Sequence, residues 1–175
     1  AAGARLLAVC VQESAVITKL DLYDNDIGPE GAKALAEALR VNAVLKSLNL
    51  SSNRLCGVWT ENGAQKGTYD ASGIKALSDA LASGSSVLTT LSLADNSLCG
   101  ISRYDGVGTY DPSGIGTYNS EGINAICEAL KLNAVLTMLD VNYNDLDDAA
   151  QEAIKDAVKG RSGFELAIDE QDEDY

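Results

Sequence analysis

A short pattern of apolar positions occurs four times along the chain. It reads I-x-x-L-x-L-x-x-N-x-I from Ile17, and it returns as LKSLNLSSNRL from Leu45, LTTLSLADNSL from Leu88 and LTMLDVNYNDL from Leu136. Leucines that alternate with polar residues over a few positions are typical of a short strand. An alanine- and leucine-rich stretch such as GAKALAEAL follows each copy, with two leucines four residues apart on one helical face. The chain therefore consists of four tandem repeats of one strand–turn–helix unit.

The spacing of the copies separates a constant unit from variable inserts. The first copy spans 28 residues, whereas the second and third span 43 and 48 residues. The additional residues lie between the recurring asparagine and the helix, so we expect one domain over residues 1–168 with loop inserts at about 57–70 and 100–119. Its expected divisions are a half repeat at 1–16, repeats at 17–44, 45–87, 88–135 and 136–163, a closing strand at 164–168 and an acidic tail at 169–175.

Each unit is too small to bury its own apolar side, so neighbouring units must stack around a shared core. Ile17, Leu20, Leu22 and Ile27 are expected in that interior, where each leucine contributes roughly 1.5–3 kcal/mol. The asparagine recurs at the turn that leaves each strand, where its amide can satisfy backbone groups. We therefore predict a structural asparagine ladder, made of Asn25, Asn53, Asn96 and Asn144.

With its leucines, its asparagine and its G-x-x-A-L-x-x-A-L helix in register, the unit resembles a known family. The resemblance is to the leucine-rich repeat of the ribonuclease-inhibitor type, the long class also found in NOD-like receptors. It covers nearly the whole chain outside the inserts and the tail. It implies an α/β solenoid shaped as a horseshoe arc, with a parallel sheet of about four strands on the concave face and helices on the convex face. It also implies a role in binding proteins, and it provides no catalytic residue.

The two ends of the chain differ in their pattern. GARLLAVCVQESAV from Gly3 aligns with GAKALAEALRVNAV from Gly31, so the chain starts at the helix of a repeat. Solenoids need polar caps to stay soluble, and we see none here; we expect either a piece of a longer array or an end that something else covers. At the other end, the apolar segment from Phe164 to Ile168 is expected to close the sheet as an edge strand. The like-charge tail DEQDEDY is expected to be solvated.

Charge and hydropathy limit the classes of partner. The formal net charge is −13 and the pI is near 4.2. Nucleic acids and anionic lipid surfaces need clustered Lys and Arg, so neither is expected as a partner. An acidic surface serves solubility or favours a basic protein partner. No stretch approaches the ~20 apolar residues of a membrane span and no leader is evident. We expect no membrane insertion and an intracellular protein, cytoplasmic by default, with an organelle left open.

The four cysteines and the absence of histidine bear on metal and catalytic chemistry. Cys56 and Cys99 each lie three residues after the recurring asparagine, at equivalent sites of adjacent units. Stacked strands are roughly 5 Å apart, so these residues are expected either as neighbouring thiols or as a disulfide. A zinc site lacks histidine and a C-x-x-C pair, and a calcium site lacks the D-x-[DN]-x-[DN]-G series. Without a nucleophile–base pair or a phosphate loop, we expect no enzyme, no cofactor and no metal.

The two inserts carry five aromatic residues and a small repeated motif. GTYDASG, GTYDPSG and GTYNSEG begin at positions 67, 108 and 116. Insertions at the same point of a solenoid unit emerge on one edge, so the inserts are expected to lie against each other with their aromatic residues clustered. The predicted partner-binding site on this insert edge is made of Trp59, Tyr69, Tyr104, Tyr110 and Tyr118. Tyrosine and tryptophan are common interface anchors, but the same cluster can also be a self-packed small core, and both interpretations stay open.

The outward strand positions form a second candidate surface. They are mostly small and polar, and the predicted, weaker site on the concave face is made of Asp21, Tyr23, Asn49, Asp140 and Tyr143. Interface hot spots usually contain more Trp, Tyr or Arg, so this face is expected either as a mild binding surface or as plain solvent-exposed sheet.

Two functions fit these patterns. The first is a non-catalytic interaction module or scaffold that binds another protein, basic or part of a larger complex, through the insert edge or the concave face. The alternative is a permanent structural subunit of a large multiprotein assembly, an organellar one included, because the start of the chain needs cover.

Overall fold

The computed structural model describes residues 2–104 and 110–168, with side chains except at residues 2, 103, 104 and 110–113. This part of the chain contains five helices and nine strands. In chain order they are α1 (Ala2–Glu13), β1 (Lys19–Asp21), α2 (Gly28–Val41), β2 (Ser47–Asn49), β3 (Val58–Glu61), β4 (Ala64–Gly67), α3 (Ser72–Ala82), β5 (Thr90–Ser92), β6 (Ile101–Tyr104), β7 (Tyr110–Gly116), α4 (Glu121–Leu132), β8 (Met138–Asp140), α5 (Asp148–Ala157) and β9 (Glu165–Ala167).

Five strands form one parallel sheet in the order β1-β2-β5-β8-β9. Equivalent residues of neighbouring units are paired across the sheet. Leu20 pairs with Leu48, Leu48 with Leu91, Leu91 with Leu139 and Leu139 with Leu166. In β2, β5 and β8 the middle leucine is buried and the two flanking residues are half-buried on the opposite face. The expected α/β solenoid with a parallel sheet is confirmed, and β9 brings its strand number to five rather than about four.

The core lies between this sheet and the helices, and it includes the recurring leucines of both. Leu22 and Ile27 are buried as expected. Leu20 is only partly buried and Ile17 is exposed. The prediction was wrong for Ile17 because the first unit has no described neighbour on its outer side.

Close packing between neighbouring helices depends on a glycine in the first turns of α2 and α3. A Cβ atom at Gly73 would lie 2.8 Å from both the Pro29 carbonyl oxygen and the Ala32 Cβ atom of the preceding unit. A Cβ atom at Gly31 would lie 2.8 Å from the Cβ atom of Ala4. Only a residue without a side chain permits this approach, so the glycine sets the spacing between units.

The two inserts fold as antiparallel hairpins rather than as irregular loops. In the first, β3 pairs with β4 across Asn62 and Gly63, which have φ of 51° and 72°. Positive φ at both central residues is typical of the type I′ hairpin turn, for which Asn-Gly is the preferred sequence. In the second, β6 pairs with β7, with a register shift between Ser102 and Tyr104.

The two hairpins lie against each other beside the sheet, as expected for inserts of adjacent units. Strand β3 contacts β6, and β4 contacts β7. The side-chain amide of Gln65 donates to the carbonyl of Gly100. Because each hairpin follows the carboxyl end of its own sheet strand, the pair projects from that edge of the sheet.

Arg161, which follows α5, bonds to the repeat unit before it. Its guanidinium donates to the carbonyls of Leu130 and Leu136, with an Nη1–O distance of 3.2 Å for Leu130, and it lies 4.5 Å from the ring centroid of Phe164. Leu130 is in the last turn of α4, where carbonyls lack a partner within the helix. Partial burial lowers the pKa of Arg161, because it disfavours the charged guanidinium.

We expect Arg161→Ala to lower the free energy of unfolding by about 2 kcal/mol, because two charge-assisted hydrogen bonds are lost. Arg161→Lys should restore little, since one ammonium cannot serve both carbonyls and the ring. Urea unfolding followed by circular dichroism measures the effect. Lys159→Ala, which removes an exposed ion pair to Asp156, is the control and should stay within about 0.5 kcal/mol. Equal unfolding midpoints for both variants would contradict this role of Arg161.

Candidate functional site

A row of polar side chains crosses the open face of the sheet, which is the face away from the helices. Asn49 Nδ2 donates to Asp21 Oδ1 at 2.9 Å, and Ser92 Oγ donates to Asp140 Oδ2 at 2.7 Å. Ser51 Oγ lies 2.7 Å from both Asn49 Oδ1 and Ser92 Oγ, and it donates to one of them at a time because a hydroxyl has one proton. This polar row (Asp21, Asn49, Ser51, Ser92 and Asp140) connects four strands and has a carboxylate at each end.

Further carboxylates follow the carboxyl ends of the strands. This acidic edge is made of Asp24, Asp26, Asp95 and Asp145, with φ between 49° and 54°. Aspartate tolerates this left-handed conformation better than most residues. Ser52 Oγ donates to Asp95 Oδ2 at 2.7 Å, which ties two neighbouring units together. The acidic edge borders the polar row, so the two form one negatively charged surface.

Two exposed tyrosines flank the polar row. Tyr23 is 59% exposed and Tyr143 is 70% exposed. The backbone N–H of Tyr23 donates to Asp21 Oδ1 at 3.0 Å, and Tyr143 has a φ of 56°. A bulky residue is uncommon in the left-handed region, and an exposed ring gains little from packing.

Arg54 lies where the acidic edge meets the first hairpin. Its Nη1 is 2.7 Å from Asp26 Oδ1, and its guanidinium carbon is 4.6 Å from the ring centroid of Trp59. The Trp59 ring also lies close to Gly67, where a Cβ atom would come within 2.9 Å of Cζ3. Trp59, predicted for the insert edge, is thus half-buried and contacts both Arg54 and a glycine of its own hairpin.

Tyr69, also predicted for the insert edge, packs inside the fold. Its hydroxyl donates to the Leu98 carbonyl at 2.9 Å and accepts from the Gly122 N–H at 3.3 Å. A Cβ atom at Gly100 would lie 2.9 Å from Tyr69 Cδ2, so the ring lies against that backbone. Burial raises the pKa of the Tyr69 phenol. Tyr69 therefore connects the base of the first hairpin to the next unit.

Tyr118 occupies the same place one unit later but is 42% exposed. Its hydroxyl donates to Asp147 Oδ1 at 3.3 Å. Its pKa is raised to about 12, and burial of the phenol is the largest cause. Tyr104 and Tyr110 are backbone partners across β6 and β7, while their side chains lie outside the described part. Trp59, Tyr69 and Tyr118 therefore contact three different parts of the fold, namely Arg54, Leu98 and Asp147.

Cys56 and Cys99 are buried as thiols, the first of the two alternatives expected from their spacing. Burial raises the pKa of Cys56 to about 12. Their carbonyls accept the N–H groups of Asp70 and Asn119 at 2.9 and 2.8 Å, which closes the base of each hairpin. A buried thiol with a raised pKa is a poor nucleophile, so Cys56 serves packing.

A groove of about 650 Å³ lies on the helical side between α2 and α3, next to Tyr69. Lys33, Arg40 and Lys75 line it together with carboxylates such as Glu37. Lys75 is 3.4 Å from Glu121, so part of this charge is already paired. The mixed lining does not select a ligand of one charge.

Metal-binding clusters and membrane spans are both missing from residues 2–104 and 110–168. Within these ranges, no group of three or more His, Cys, Asp and Glu side chains is placed to hold a metal ion. Among the helices that the structure describes, none has the length and apolar character needed to cross a lipid bilayer.

Known proteins share both the repeat and the fold. A family model described as "Leucine Rich repeat" matches residues 13–36 and 41–55. The solved structure of "Leiomodin-1 Actin-Binding Site 2 (ABS2)" is similar over 94% of this chain and 78% of that chain, with a TM-score of 0.59 and 17% sequence identity. Residues 13–36 and 41–55 are thus leucine-rich repeats, in a chain that has the solenoid fold of such repeats. At this identity the likeness shows the fold alone, and the ribonuclease-inhibitor type stays a prediction.

The asparagines of the leucine-rich repeats bond to the unit before them. Asn53 Oδ1 accepts the backbone N–H of Asn25 at 3.0 Å, Asn96 Oδ1 accepts that of Asn53 at 3.0 Å, and Asn144 Oδ1 accepts that of Asn96 at 2.9 Å. The side chains at 53, 96 and 144 are buried. Asn25 is exposed, and its Nδ2 donates to the Tyr23 carbonyl at 2.9 Å.

Sequence reasoning missed the acidic edge of the leucine-rich repeats and the role of Arg54. Both could have been found from the repeat alignment, because Asp24, Ser52, Asp95 and Tyr143 occupy one repeat position. Arg54 occupies the same position as Asp26, a reversal of charge between adjacent units. Asn62-Gly63 was likewise an available hairpin signal.

Proposed function

We propose that this leucine-rich-repeat protein is a non-catalytic binding module that takes a basic segment of a partner protein on the open face of its sheet. The observation that carries the proposal is the pair of exposed rings, Tyr23 and Tyr143, on either side of a hydrogen-bonded row that ends in Asp21 and Asp140. Hydrogen bonds across the strands hold the row in place before a partner arrives, which lowers the entropic cost of binding.

Charge supports a basic partner. The chain has a net charge of −13, and the acidic edge adds carboxylates beside the polar row. Arg54 is already engaged by Asp26 and by the Trp59 ring, so it competes little with an incoming cation. A surface of one sign attracts an oppositely charged segment and speeds the encounter.

The tyrosines supply the apolar part of the proposed contact. Interface hot spots are enriched in tyrosine and arginine, and an arginine or lysine can stack on an exposed ring. Of the insert-edge residues, Trp59 is our second candidate for contact because it lies next to the acidic edge. The similar leiomodin-1 structure bears the name of an actin-binding site, which supports a protein as the class of ligand and identifies no partner for this chain.

A random peptide library displayed on phage tests the proposal directly. Peptides selected on the immobilised protein should be rich in Lys and Arg, and their binding should weaken as salt rises. Tyr23→Ala and the double variant Asp21→Asn/Asp140→Asn should each weaken a selected peptide by about tenfold or more. Fluorescence polarisation measures the affinities, and asparagine keeps the size and one oxygen of aspartate.

The matched control removes the same number of charges from the helices. Glu37→Gln/Glu152→Gln changes the net charge equally but leaves the open face intact. It should change the affinity by less than about twofold at moderate salt. An equal loss in the control, or selected peptides without basic residues, would contradict binding at the open face.

A further inference from the structure

The two carboxylates of the polar row lie at a separation that the sheet register sets. Asp21 pairs with Asn49, Asn49 with Ser92, and Ser92 with Asp140, so the row runs across the strands. The sheet order places three strand intervals between Asp21 and Asp140. At ~4.8 Å for each interval, their Cα atoms are about 14 Å apart.

Both carboxylates have hydrogen-bonding capacity left for a cation. Asp21 Oδ1 accepts from Asn49 Nδ2 and from the Tyr23 N–H, whereas Asp140 accepts one bond at each oxygen. A carboxylate has about four lone-pair sites, so each of the two can accept about two further bonds. Among the side chains that the structure describes, no lysine or arginine forms an ion pair with either of them.

The positions between the two carboxylates are neutral. Asn49 and Ser92 occupy the row in β2 and β5, and Ser51 lies beside both of them. A cation over the middle of the row therefore meets hydroxyl and amide groups and no carboxylate. Within the row, a basic side chain is matched at the two ends.

We propose that the open face selects an extended segment with two basic residues four positions apart, an inference that rests on the function proposed above. An extended chain advances about 3.3 Å per residue, so four residues span about 13–14 Å, close to the separation of Asp21 and Asp140. Residues i and i+4 of such a chain also point to the same side. Each basic side chain then reaches one carboxylate, and the residue midway between them faces the neutral part of the row.

A helical segment does not match this separation. An α-helix advances about 1.5 Å per residue, so about 14 Å corresponds to nine or ten residues. At about 3.6 residues per turn, nine residues make two and a half turns, which place the second side chain on the opposite side of the helix. The same-side spacings of seven and eleven residues correspond to about 10 and 16 Å. The extended conformation is therefore the better match to the row.

The acidic edge attracts basic segments without this requirement for spacing. Two of its carboxylates are already engaged, because Asp26 pairs with Arg54 and Asp95 accepts from Ser52 Oγ. Attraction over a distance depends on the total charge of a segment, whereas direct pairing with the row depends on where the charges lie. Basic peptides of equal charge should thus all bind, and the spacing should decide which of them binds most tightly.

A set of synthetic peptides with one length and one composition tests the spacing. Each carries two arginines in a background of serine, threonine and valine, separated by two, three, four or six positions. Fluorescence polarisation with the 175-residue chain should show the tightest binding at a separation of four. The peptide with a separation of three should bind at least about fivefold more weakly, because its arginines point to opposite sides. Equal affinities, or a preference for another separation, would overturn the spacing and leave the proposed function standing. No binding by any peptide would contradict both.

Moving one carboxylate to the next strand should move the preferred spacing. Ala167 pairs with Asp140 across β8 and β9 and lies on the same face. The double variant Asp140→Asn/Ala167→Asp therefore keeps the net charge and puts four strand intervals between the carboxylates. These span about 19 Å, which corresponds to about six residues of an extended segment.

The double variant should prefer the peptide with a separation of six, and it should bind the peptide with a separation of four about fivefold more weakly than the wild-type protein does. Asp140→Asn alone is the control, because it removes a carboxylate without replacing it. It should weaken the peptide with a separation of four and gain no preference for six. Circular dichroism verifies that both variants are folded. A double variant that still prefers four, or that gains no preference for six, would overturn the proposal.

Discussion

Asn96→Ala is expected to lower the free energy of unfolding by about 3–5 kcal/mol. Asn96 Oδ1 accepts the N–H groups of Asn53 and Leu55 at 3.0 and 3.1 Å. Its Nδ2 donates to three carbonyls, those of Leu50, Leu93 and Ala94, at 2.9 to 3.1 Å. The residue is buried, so alanine leaves the N–H groups of Asn53 and Leu55 and the Leu50 carbonyl without a partner, at about 1–3 kcal/mol each. The carbonyls of Leu93 and Ala94 keep their bonds from Asn144 Nδ2 and the Ser52 N–H. Guanidinium unfolding followed by far-ultraviolet circular dichroism measures the change.

Asn25→Ala is the matched control for Asn96→Ala. It removes the same amide from the same repeat position, but Asn25 is exposed and water can replace its bond to the Tyr23 carbonyl. We expect a loss below about 1 kcal/mol. If the two substitutions cost the same, burial of the asparagine is not what gives the ladder its stabilising effect.

Tyr69→Ala is expected to destabilise the protein by about 3 kcal/mol, at the low end for removal of a large aromatic residue because Tyr69 is only half-buried. The substitution removes the ring that packs against Gly100 and the hydroxyl that donates to Leu98. Tyr69→Phe keeps the ring and should cost about 1 kcal/mol, the contribution of a hydrogen bond. Chemical unfolding gives both values, and hydrogen exchange of the β3 and β4 amides should accelerate in Tyr69→Ala.

Tyr118→Ala is the control for Tyr69→Ala, since Tyr118 has the same repeat position and a more exposed ring. Its loss should stay below about 1 kcal/mol. A cost for Tyr118→Ala equal to that of Tyr69→Ala would contradict the role assigned to Tyr69. The difference also affects binding studies, because weaker partner capture by Tyr69→Ala would report unfolding of the hairpin base. Tyr23→Ala is free of this problem, because its ring is largely in solvent.

Much of the architecture could be predicted because the repeat is read from spacing alone. A unit that carries leucines on one side must stack, and equal units stack in register, which is why Leu20, Leu48, Leu91 and Leu139 align across the sheet. The first hairpin was also within reach through Asn62-Gly63. What could not be predicted was which aromatic residues of the inserts are buried and which are exposed. Their burial depends on which backbone lies beside them, and composition does not contain that information.

The sequence by itself determined the parallel stack, its core and the points where the inserts leave it, because all three follow from periodic burial of apolar side chains. Only the tertiary structure decided that Tyr69 packs inward, that Arg161 binds carbonyls of α4 and the following turn, and that serine and asparagine side chains join Asp21 to Asp140. Apart from the Ser51–Asn49 bond, these contacts join residues 25 to 48 positions apart in sequence, which local propensity cannot specify. They arise once strand register brings neighbouring units into contact.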